Sequence, residues 1–332
     1  MSASVTAAEA EVKVRVLAVG WEADGVISLR LARADGGQLP PWEPGAHVEV
    51  VLPSGRIRHY SLCGDRADRY TYTIAVLREL AGRGGSAEIH DTALVGKVLV
   101  IRGPRNHFTL RPAGSYVLVA GGIGVTPILS MARELTARGA GWRLHYGGRS
   151  LESMAFLPEL DKLACEADAP VDVRPQNEAG LLPLEDIVRE APDGAAIYGC
   201  GPAAMLDALR AVASRVRPEL EVHFELFTAG TAEPGEDGEP DSHARPFTVV
   251  LAQTGETVEV ADGTTILEAV RDVVPEVPYS CEEGFCGTCC TKVLGGSPVH
   301  RDTVLGDDER AAGDTMMICV GSCSSAELVL DL

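Results

Sequence analysis

Four cysteines near the end of the chain limit what this sequence can fold into more than any other feature. Four residues separate Cys281 from Cys286, two separate Cys286 from Cys289, and 29 separate Cys289 from Cys319. Six of the nine cysteines lie within the last 52 residues. If the protein is cytoplasmic, where thiols stay reduced, this clustering favours a metal site over disulfides. The fold must then bring three ligands of one loop together with a fourth from a distant segment.

This spacing is the C-x4-C-x2-C…C pattern of plant-type [2Fe–2S] clusters. Each iron takes two thiolates, and Gly284 and Gly287 let the loop wrap the cluster because glycine reaches positive φ cheaply. Structural zinc is the alternative, although zinc sites usually present two tight ligand pairs separated by about 12–20 residues. The remaining Cys290 and Cys323 are predicted to be ordinary small buried residues that do not bind the cluster.

The charge of the chain is strongly acidic and unevenly distributed. Its 332 residues carry 48 acids and 29 bases, a formal net charge of −19. The net charge is −4 over residues 1–227, −4 over 228–245 and −11 over 246–332. Because phosphate contacts need Lys and Arg, we expect no nucleic-acid partner. The 45% hydrophobic and 23% charged composition is that of a globular protein, and the length suits two or three domains.

We also expect a cytoplasmic protein without a membrane partner. The first twenty residues contain Glu9, Glu11 and Lys13 and lack the basic start and unbroken apolar core of a leader. The longest apolar stretch, residues 116–132, is interrupted by three glycines and a proline. This pattern is typical of a strand, loop and helix and not of a membrane span.

The pattern along the chain predicts three domains. Short β-branched or alternating runs between residues 11 and 110 indicate an antiparallel barrel or sandwich. Alternating strands and helices between 115 and 226 indicate an α/β domain with a parallel sheet. A linker rich in Gly, Pro, Glu and Asp follows, and then a small α+β unit with the cysteine loop. The predicted boundaries are 1–112, 113–227, 228–245 for the linker, and 246–332.

Two loops of the α/β domain have the character of a nucleotide site. Gly121, Gly122 and Gly124 follow a buried strand, and Thr126 and Pro127 open a helix. Glycines let the main chain approach a pyrophosphate, and the helix N-terminus supplies N–H groups. The spacing is not the Rossmann fingerprint, and a tight strand–helix turn alone would also explain it. A second such loop, Cys200-Gly201-Pro202, makes a ligand crevice between two strands the better interpretation.

These two segments resemble the pyridine-nucleotide half of the ferredoxin–NADP reductase superfamily. The resemblance implies that the first loop cradles the pyrophosphate and nicotinamide ribose, while Cys200, Gly201 and Pro202 border the nicotinamide. Cys200 as a redox nucleophile is the rival interpretation, but no partner thiol lies near it in sequence. An aromatic residue is expected to stack on the flavin at the end of the last strand. We assign this role to Phe227 and expect Phe224 to be core.

Residues 58–62, Arg-His-Tyr-Ser-Leu, resemble the flavin motif of the same superfamily. Tyr60 offers a flat face to the isoalloxazine ring, Ser61 a hydroxyl to flavin N5, and Arg58 a cationic fork to phosphate. A short helix over 86–91 is predicted to hold the flavin phosphate at its N-terminus, although a plain capped loop would look the same. The resemblance implies these flavin-binding residues: Arg58, His59, Tyr60, Ser61, Leu62, Ala75, Val76, Gly84, Gly85 and Ser86.

Residues 246–332 resemble a plant-type ferredoxin, which implies a β-grasp fold. The module order then resembles the phthalate dioxygenase reductase and vanillate demethylase reductase group over nearly the whole chain. That resemblance implies an NADH-dependent flavin iron–sulfur oxidoreductase in which Ser61, Thr126, Cys200 and Phe227 surround the reacting atoms. Flavin holds zero, one or two electrons and so bridges the hydride donor and the one-electron cluster. The expected cofactors are FMN, a [2Fe–2S] cluster and NADH, with FAD and NADPH as alternatives.

The expected partner is a terminal Rieske-type oxygenase acting in aromatic catabolism, served by a monomeric reductase. A different acceptor, such as a cytochrome, would use the same chemistry. The alternative that is not an enzyme is an interaction protein that binds zinc in the cysteine loop. Visible absorption distinguishes it, because flavin and a [2Fe–2S] cluster are coloured and zinc is not.

Single cysteine substitutions test the ligand assignment. Cys281→Ser, Cys286→Ser, Cys289→Ser and Cys319→Ser should each impair cluster assembly, because thiolate is the matched ligand for iron. Cys290→Ser and Cys323→Ser are the matched controls and should keep the cluster, as measured by visible absorption and iron content. Loss of the cluster in Cys290→Ser together with its retention in Cys289→Ser would show that the assignment is wrong.

Overall fold

The computed structural model describes residues 11–79, 84–226, 246–261, 264–279, 284, 287–302 and 304–332. The chain divides into two units, Met1–Glu225 and Leu226–Leu332, and each is described by itself. Within the described residues, no helix combines the length and the apolar character that crossing a bilayer requires.

The first part of unit one is a six-stranded antiparallel barrel. Its strands are ordered β4-β3-β6-β1-β2-β5, and an antiparallel bridge from Leu62 to Ile74 links the two end strands. This bridge brings the two end strands together, and the sheet curls around a buried core. Val48, Val50 and Ile74 are fully buried in this core. The predicted barrel is confirmed. Its strands are β1 (Val12–Ala23), β2 (Val26–Arg33), β3 (Ala46–Val51), β4 (Ile57–Ser61), β5 (Thr71–Leu77) and β6 (Val98–Asn106).

A seven-residue helix, α1 (Gly85–Asp91), lies between β5 and β6. It begins after Gly84, whose φ of 80° is the left-handed conformation that glycine adopts without strain. The helix buries Ile89 in the barrel core. Its first turn therefore lies outside the barrel. The helix begins at Gly85, one residue earlier than the sequence predicts.

The second part of unit one is a parallel sheet ordered β11-β10-β7-β8-β9, with helices between its strands. The chain starts at the central strand β7 and moves outward to β9. It then crosses to β10, so the direction of winding reverses between β7 and β10. Ligands of open α/β sheets bind at such a reversal. The elements are β7 (Ser115–Gly121), α2 (Val125–Ala137), β8 (Trp142–Gly148), α3 (Leu157–Ala167), β9 (Val171–Pro175), α4 (Gln176–Ala179), α5 (Leu184–Arg189), β10 (Ala195–Gly201), α6 (Ala203–Val216) and β11 (Glu221–Leu226).

Unit two is a mixed sheet ordered β13-β12-β18-β14-β16, with one helix packed on it. Strands β12 and β18 pair in parallel and the other pairs are antiparallel, which is a β-grasp arrangement. Thr265 and Glu268 cap the first turn of α7 reciprocally. The elements are β12 (Phe247–Leu251), β13 (Thr257–Val260), α7 (Ile266–Arg271), β14 (Cys290–Gly295), β15 (Pro298–Val299), α8 (Asp307–Ala312), β16 (Thr315–Met317), β17 (Ser322–Cys323) and β18 (Glu327–Leu330).

Gly45, just before β3, is where the barrel touches the segment that leads to β7. Its φ is +89°, and a Cβ there would lie 2.0 Å from the carbonyl oxygen of Phe108. Gly45→Ala should therefore destabilise unit one by about 3 kcal/mol or more, through backbone strain and overpacking. Thermal melting should reveal the loss.

Gly36→Ala is the matched control for this prediction. Gly36 has a similar φ of +78°, but nothing lies within 4 Å of its Cβ position. Gly36→Ala should therefore lower the stability of unit one by only about 1 kcal/mol, through backbone strain alone. Equal losses in the two variants would mean that the approach of Phe108 does not constrain Gly45.

Candidate functional site

Strand β4 carries the predicted flavin motif on the barrel wall. Leu62 is fully buried in the barrel core and Tyr60 packs against it. Ser61 lies opposite His47 of β3, and its hydroxyl is buried without a hydrogen-bond partner among the described residues. A buried hydroxyl of this kind costs free energy unless a ligand satisfies it. The geometry therefore fits the predicted contact between Ser61 and a flavin.

Strand β5 lies next to this motif and carries Ala75 and Val76, two of the predicted flavin-binding residues. Ala75 is buried opposite Ser28 of β2. The side chain of Val76 belongs to the barrel core, and its carbonyl oxygen lies 3.0 Å from Nε2 of His90. Any contact of Val76 with a cofactor would thus come from the main chain.

The first turn of α1 and Arg58 form a cradle that suits a phosphate. A Cβ on Gly85 would lie 2.5 Å from Nε of Arg58, so the guanidinium packs directly against this turn. Gly84 faces open space apart from Arg56, whose Cζ lies 3.9 Å from its Cβ position. The Ser86 hydroxyl accepts a hydrogen bond of 3.0 Å from the main chain of Glu79. A cationic fork beside the N-terminus of a helix fits the phosphate predicted here.

The two glycine-containing loops meet at the reversal between β7 and β10. A Cβ on Gly124 would lie 2.3 Å from the Cys200 carbonyl oxygen, and one on Gly121 would lie 2.7 Å from Cδ of Pro202. A Cβ on Gly201 would lie 2.9 Å from Cα of Gly121. Only glycine permits this approach. The sequence predicts one crevice formed by these two separate segments, and in the structure the two segments are in contact.

Residues at the start of α2 complete the first loop. Gly122 has a φ of +54° and nothing within 4 Å of its Cβ position, so it borders open space. Thr126 is buried, and its hydroxyl donates a hydrogen bond of 3.0 Å to the Ile123 carbonyl. Pro127 is also buried, at the third position of the helix. The open side of Gly122 is where a pyrophosphate could reach the main chain.

Cys200 is fully buried, and burial together with nearby Glu225 raises the pKa of its thiol well above the usual value. A redox or nucleophilic cysteine needs a lowered pKa and some exposure. The thiol is thus protonated and uncharged. This finding argues against the rival interpretation of Cys200 as a nucleophile and leaves it as a neutral wall of the crevice.

Glu225 on β11 is a further residue of this crevice that the sequence does not point to. Burial raises the pKa of its carboxyl group to about 8, and Oε2 has no hydrogen-bond partner among the described residues. At neutral pH the group holds a proton beside Cys200. The sequence carries no signal for it, because Glu225 continues the alternation of Glu221 and His223 with apolar residues, which predicts an ordinary exposed face of a strand.

Phe224, the neighbour of Glu225, faces the opposite side of β11. Its ring lies 3.2 Å from the Cβ position of Gly199 and packs near Leu206 and Leu209 of α6. The guanidinium of Arg210 lies 5.1 Å from the ring centroid. Phe224 is therefore core, as predicted, and the aromatic role assigned to Phe227 lies outside the described residues.

Two of the four predicted cluster ligands lie within the described residues. Cys289 and Cys319 are both buried in the core of unit two. The Cys289 carbonyl accepts a hydrogen bond of 3.5 Å from the main-chain N–H of Ile318, which brings the two segments together. Cys281 and Cys286 lie outside the described residues. Paired thiols in one core fit the donor set of an iron–sulfur cluster.

Gly284 has a φ of +75°, and a Cβ there would lie 2.6 Å from Cγ2 of Val320. The two other cysteines of this unit have different environments. Cys323 is buried, as predicted, but Cys290 is exposed, so that prediction is wrong. The reason is the alternation of β14, which points Thr291 inward and Cys290 outward.

Family models match two parts of the chain. Residues 118–211 match an oxidoreductase NAD-binding domain, and residues 249–323 match a 2Fe-2S iron-sulfur cluster binding domain. The chain is 44% identical to the phenoxybenzoate dioxygenase subunit beta of Ectopseudomonas oleovorans, over 99% of this chain and 100% of that protein. The solved structure of phthalate dioxygenase reductase matches with a TM-score of 0.80 and 38% identity, covering 97% of this chain and 98% of that one.

The chain belongs to the phthalate dioxygenase reductase family. It is an oxidoreductase with a flavin barrel, a nicotinamide-nucleotide domain and a [2Fe–2S] ferredoxin domain, as predicted. An intact self-sufficient cytochrome P450 monooxygenase matches with a TM-score of 0.73 and 40% identity. That match covers 97% of this reductase and 41% of the monooxygenase chain.

The raised pKa of Glu225 predicts a pH dependence of stability. Between pH 4.5 and about 8 the folded reductase retains a proton that the unfolded chain releases, so stability falls as pH rises through this window. From pH 6 to 8.5 the wild type should lose about 2 kcal/mol from this group, or about 5 °C in melting temperature. Glu225→Gln should lose that component, as followed by the fluorescence of released flavin.

Glu221→Gln is the matched control, because Glu221 is exposed on the same strand. This variant should keep the wild-type dependence on pH. An unchanged pH dependence in Glu225→Gln would contradict the assignment of a proton to the buried carboxyl group.

Proposed function

We propose that this reductase takes hydride from NADH onto FMN and passes single electrons through its [2Fe–2S] cluster to a terminal Rieske-type oxygenase or demethylase. One observation carries the proposal. The chain matches a dioxygenase subunit over 99% of its own length and 100% of that relative, so the module order is shared throughout. The proposed domains are 1–112 for flavin, 113–227 for NADH, 228–245 as linker and 246–332 for the cluster.

Four residues are proposed to surround the reacting atoms: Ser61, Thr126, Cys200 and Phe227. The bound flavin supplies the conversion between a two-electron hydride donor and a one-electron acceptor. The Ser61 hydroxyl would donate a hydrogen bond to flavin N5, since no described residue accepts it. Cys200 and Glu225 are both protonated, so this side of the crevice is uncharged where a neutral dihydronicotinamide would lie. Exclusion of water by these buried groups protects the hydride.

The proposed flavin is FMN. Arg58, Gly84 and Gly85 form a cradle for one phosphate. Glu88 lies in the same turn of α1 and binds the Ser54 N–H at 2.8 Å and Arg56 at 3.3 Å. Glu88 is thus satisfied by its neighbours, and the single cradle matches the one phosphate of FMN.

The proposed nucleotide is NADH. The Ser150 side chain is already hydrogen-bonded to the Glu152 carboxylate, and the Glu152 N–H and this bond lower the pKa of that carboxyl group. Arg149 is then the single cationic side chain directly after β8, and its carbonyl accepts a hydrogen bond of 3.1 Å from Asn177. A 2′-phosphate binds best where several donors converge.

A cytochrome is the second candidate acceptor. The support is the likeness to part of a self-sufficient cytochrome P450 monooxygenase, in which the matching region makes up 41% of the chain. The two acceptors share the reductase chemistry and differ only in the partner that docks. We place the protein in the cytoplasm, as a monomer, where NADH and reduced thiols coexist.

The acidic unit two is proposed to steer the partner. Its net charge of −11 over residues 246–332 exceeds the −4 of residues 1–227. Glu282 and Glu283 belong to the cysteine loop and lie outside the described residues. Charges placed where electrons leave would raise the rate of encounter with a basic patch, and salt would screen this effect.

A double substitution tests both the partner and the steering. Glu282→Gln with Glu283→Gln should slow oxygenase-coupled turnover several-fold at low salt and flatten its salt dependence, while reduction of ferricyanide by NADH stays unchanged. Glu256→Gln with Glu259→Gln, exposed residues of the same unit, removes equal charge and should have the smaller effect. If turnover with a purified Rieske oxygenase does not depend on salt in the wild type or in either double variant, the acidic charge serves solubility and not steering. No turnover with Rieske oxygenases but turnover with a P450 would favour the second candidate.

A further inference from the structure

The segment 107–114 is the covalent connection between the flavin barrel and the nucleotide sheet, and we call it the connecting segment. A tyrosine hydroxyl of the sheet makes two hydrogen bonds to its main chain. Tyr198 Oη accepts a hydrogen bond from the Arg111 N–H at 2.7 Å and donates one to the Thr109 carbonyl at 3.3 Å. Tyr198 thereby fixes the middle of the connecting segment to β10.

A second tyrosine holds the later part of the same segment. Tyr116 Oη accepts from the Ala113 N–H at 3.0 Å and donates to the Arg111 carbonyl at 3.0 Å. Tyr116 lies on β7, directly after the segment, so its bonds are local in sequence. The bonds of Tyr198 are not local, since Arg111 lies 87 positions earlier in the chain.

Tyr198 is held rigidly in this position. Its side chain is fully buried, with the Phe108 ring centroid at 5.5 Å and the stacked His223 ring at 4.7 Å. Gly199, the next residue, faces α6, so Tyr198 and Cys200 share the other face of β10. Tyr198 therefore belongs to the same wall as the nicotinamide loop.

The connecting segment is equally fixed on its barrel side. Its Phe108 N–H donates to Asn106 Oδ1 at 2.9 Å, and Asn106 Nδ2 donates to the Pro44 carbonyl at 2.9 Å. Gly45 follows and leads into β3, the strand that pairs with β4 beside Ser61. A chain of close contacts thus runs from Ser61 through the connecting segment to the strand that carries Cys200.

We propose that Tyr198 is a positioning residue for hydride transfer, which sets the distance between the flavin wall at Ser61 and the nicotinamide wall at Cys200. The proposal rests on the NADH and flavin chemistry given above. Hydride transfer moves one hydrogen nucleus with two electrons from the nicotinamide, which is oxidised, to the flavin, which is reduced, and needs no other reactant. The reacting atoms must lie about 3–3.5 Å apart, and a misplacement of about 1 Å costs up to about a hundredfold in rate.

Tyr198→Phe tests this role, because it removes the hydroxyl and keeps the ring. In the full-length reductase we expect amide hydrogen exchange of the connecting segment to rise at least tenfold, measured by mass spectrometry with and without flavin. At saturating NADH the rate of flavin reduction should fall about tenfold, with a weaker charge-transfer band. The dissociation constant for NADH should change less than twofold, since the nucleotide loops are intact.

Tyr72→Phe is the matched control. Tyr72 is equally buried, and its hydroxyl donates to the Pro40 carbonyl within the barrel. It should keep the wild-type exchange of the connecting segment and the wild-type rate of reduction. A similar slowing in both variants, or a wild-type rate and band in Tyr198→Phe, would overturn the proposal. If NADH fails to reduce the flavin of the wild-type protein, that result would instead overturn the proposed function.

Discussion

The contact between the main chains of Gly124 and Cys200 is the constraint on which the site depends. A Cβ at Gly124 would lie 2.3 Å from the carbonyl oxygen of Cys200, so this approach excludes every residue except glycine. It locks the ends of β7 and β10 together where the winding of the sheet reverses. The barrel, by closing on itself through Leu62 and Ile74, supplies a rigid wall opposite that crevice. The proposed hydride transfer then needs only small side chains, Ser61 on the barrel wall and Cys200 on the wall of the crevice.

Those groups share an electrostatic character. The Ser61 hydroxyl is neutral, and the thiol of Cys200 and the carboxyl group of Glu225 are kept neutral by the burial that raises their pKa values. Arg58, which packs on the first turn of α1, supplies the positive charge where the flavin phosphate is proposed to bind. This separation matches a cofactor with an uncharged ring and an anionic phosphate.

The sequence predicted the parts of the fold whose residues carry a local signal. The sequence predicts a strand over 257–260 and a helix over 203–216, and the structure has β13 at Thr257–Val260 and α6 at Ala203–Val216, because the apolar periodicity of both segments is clear. Helix α8 was missed, since its charged residues show no apolar stripe and Glu309 holds it through the Gly306 N–H. The exposure of Cys290 and the proton on Glu225 depend on which face of a strand is covered. That information exists only once the tertiary structure is formed.

The topology of unit two has a consequence for biosynthesis. Its sheet is ordered around β18, which pairs with both β12 and β14, yet β18 is formed by residues 327–330, the latest of the described strands. The cysteine loop is therefore translated well before the strand that completes the fold around it. Domains generally fold in order of synthesis, so the barrel and nucleotide sheet are able to form while unit two is still incomplete. The predicted fourth ligand, Cys319, is translated only eight residues before this strand, so the full set of cluster thiols is present only when unit two is about to close.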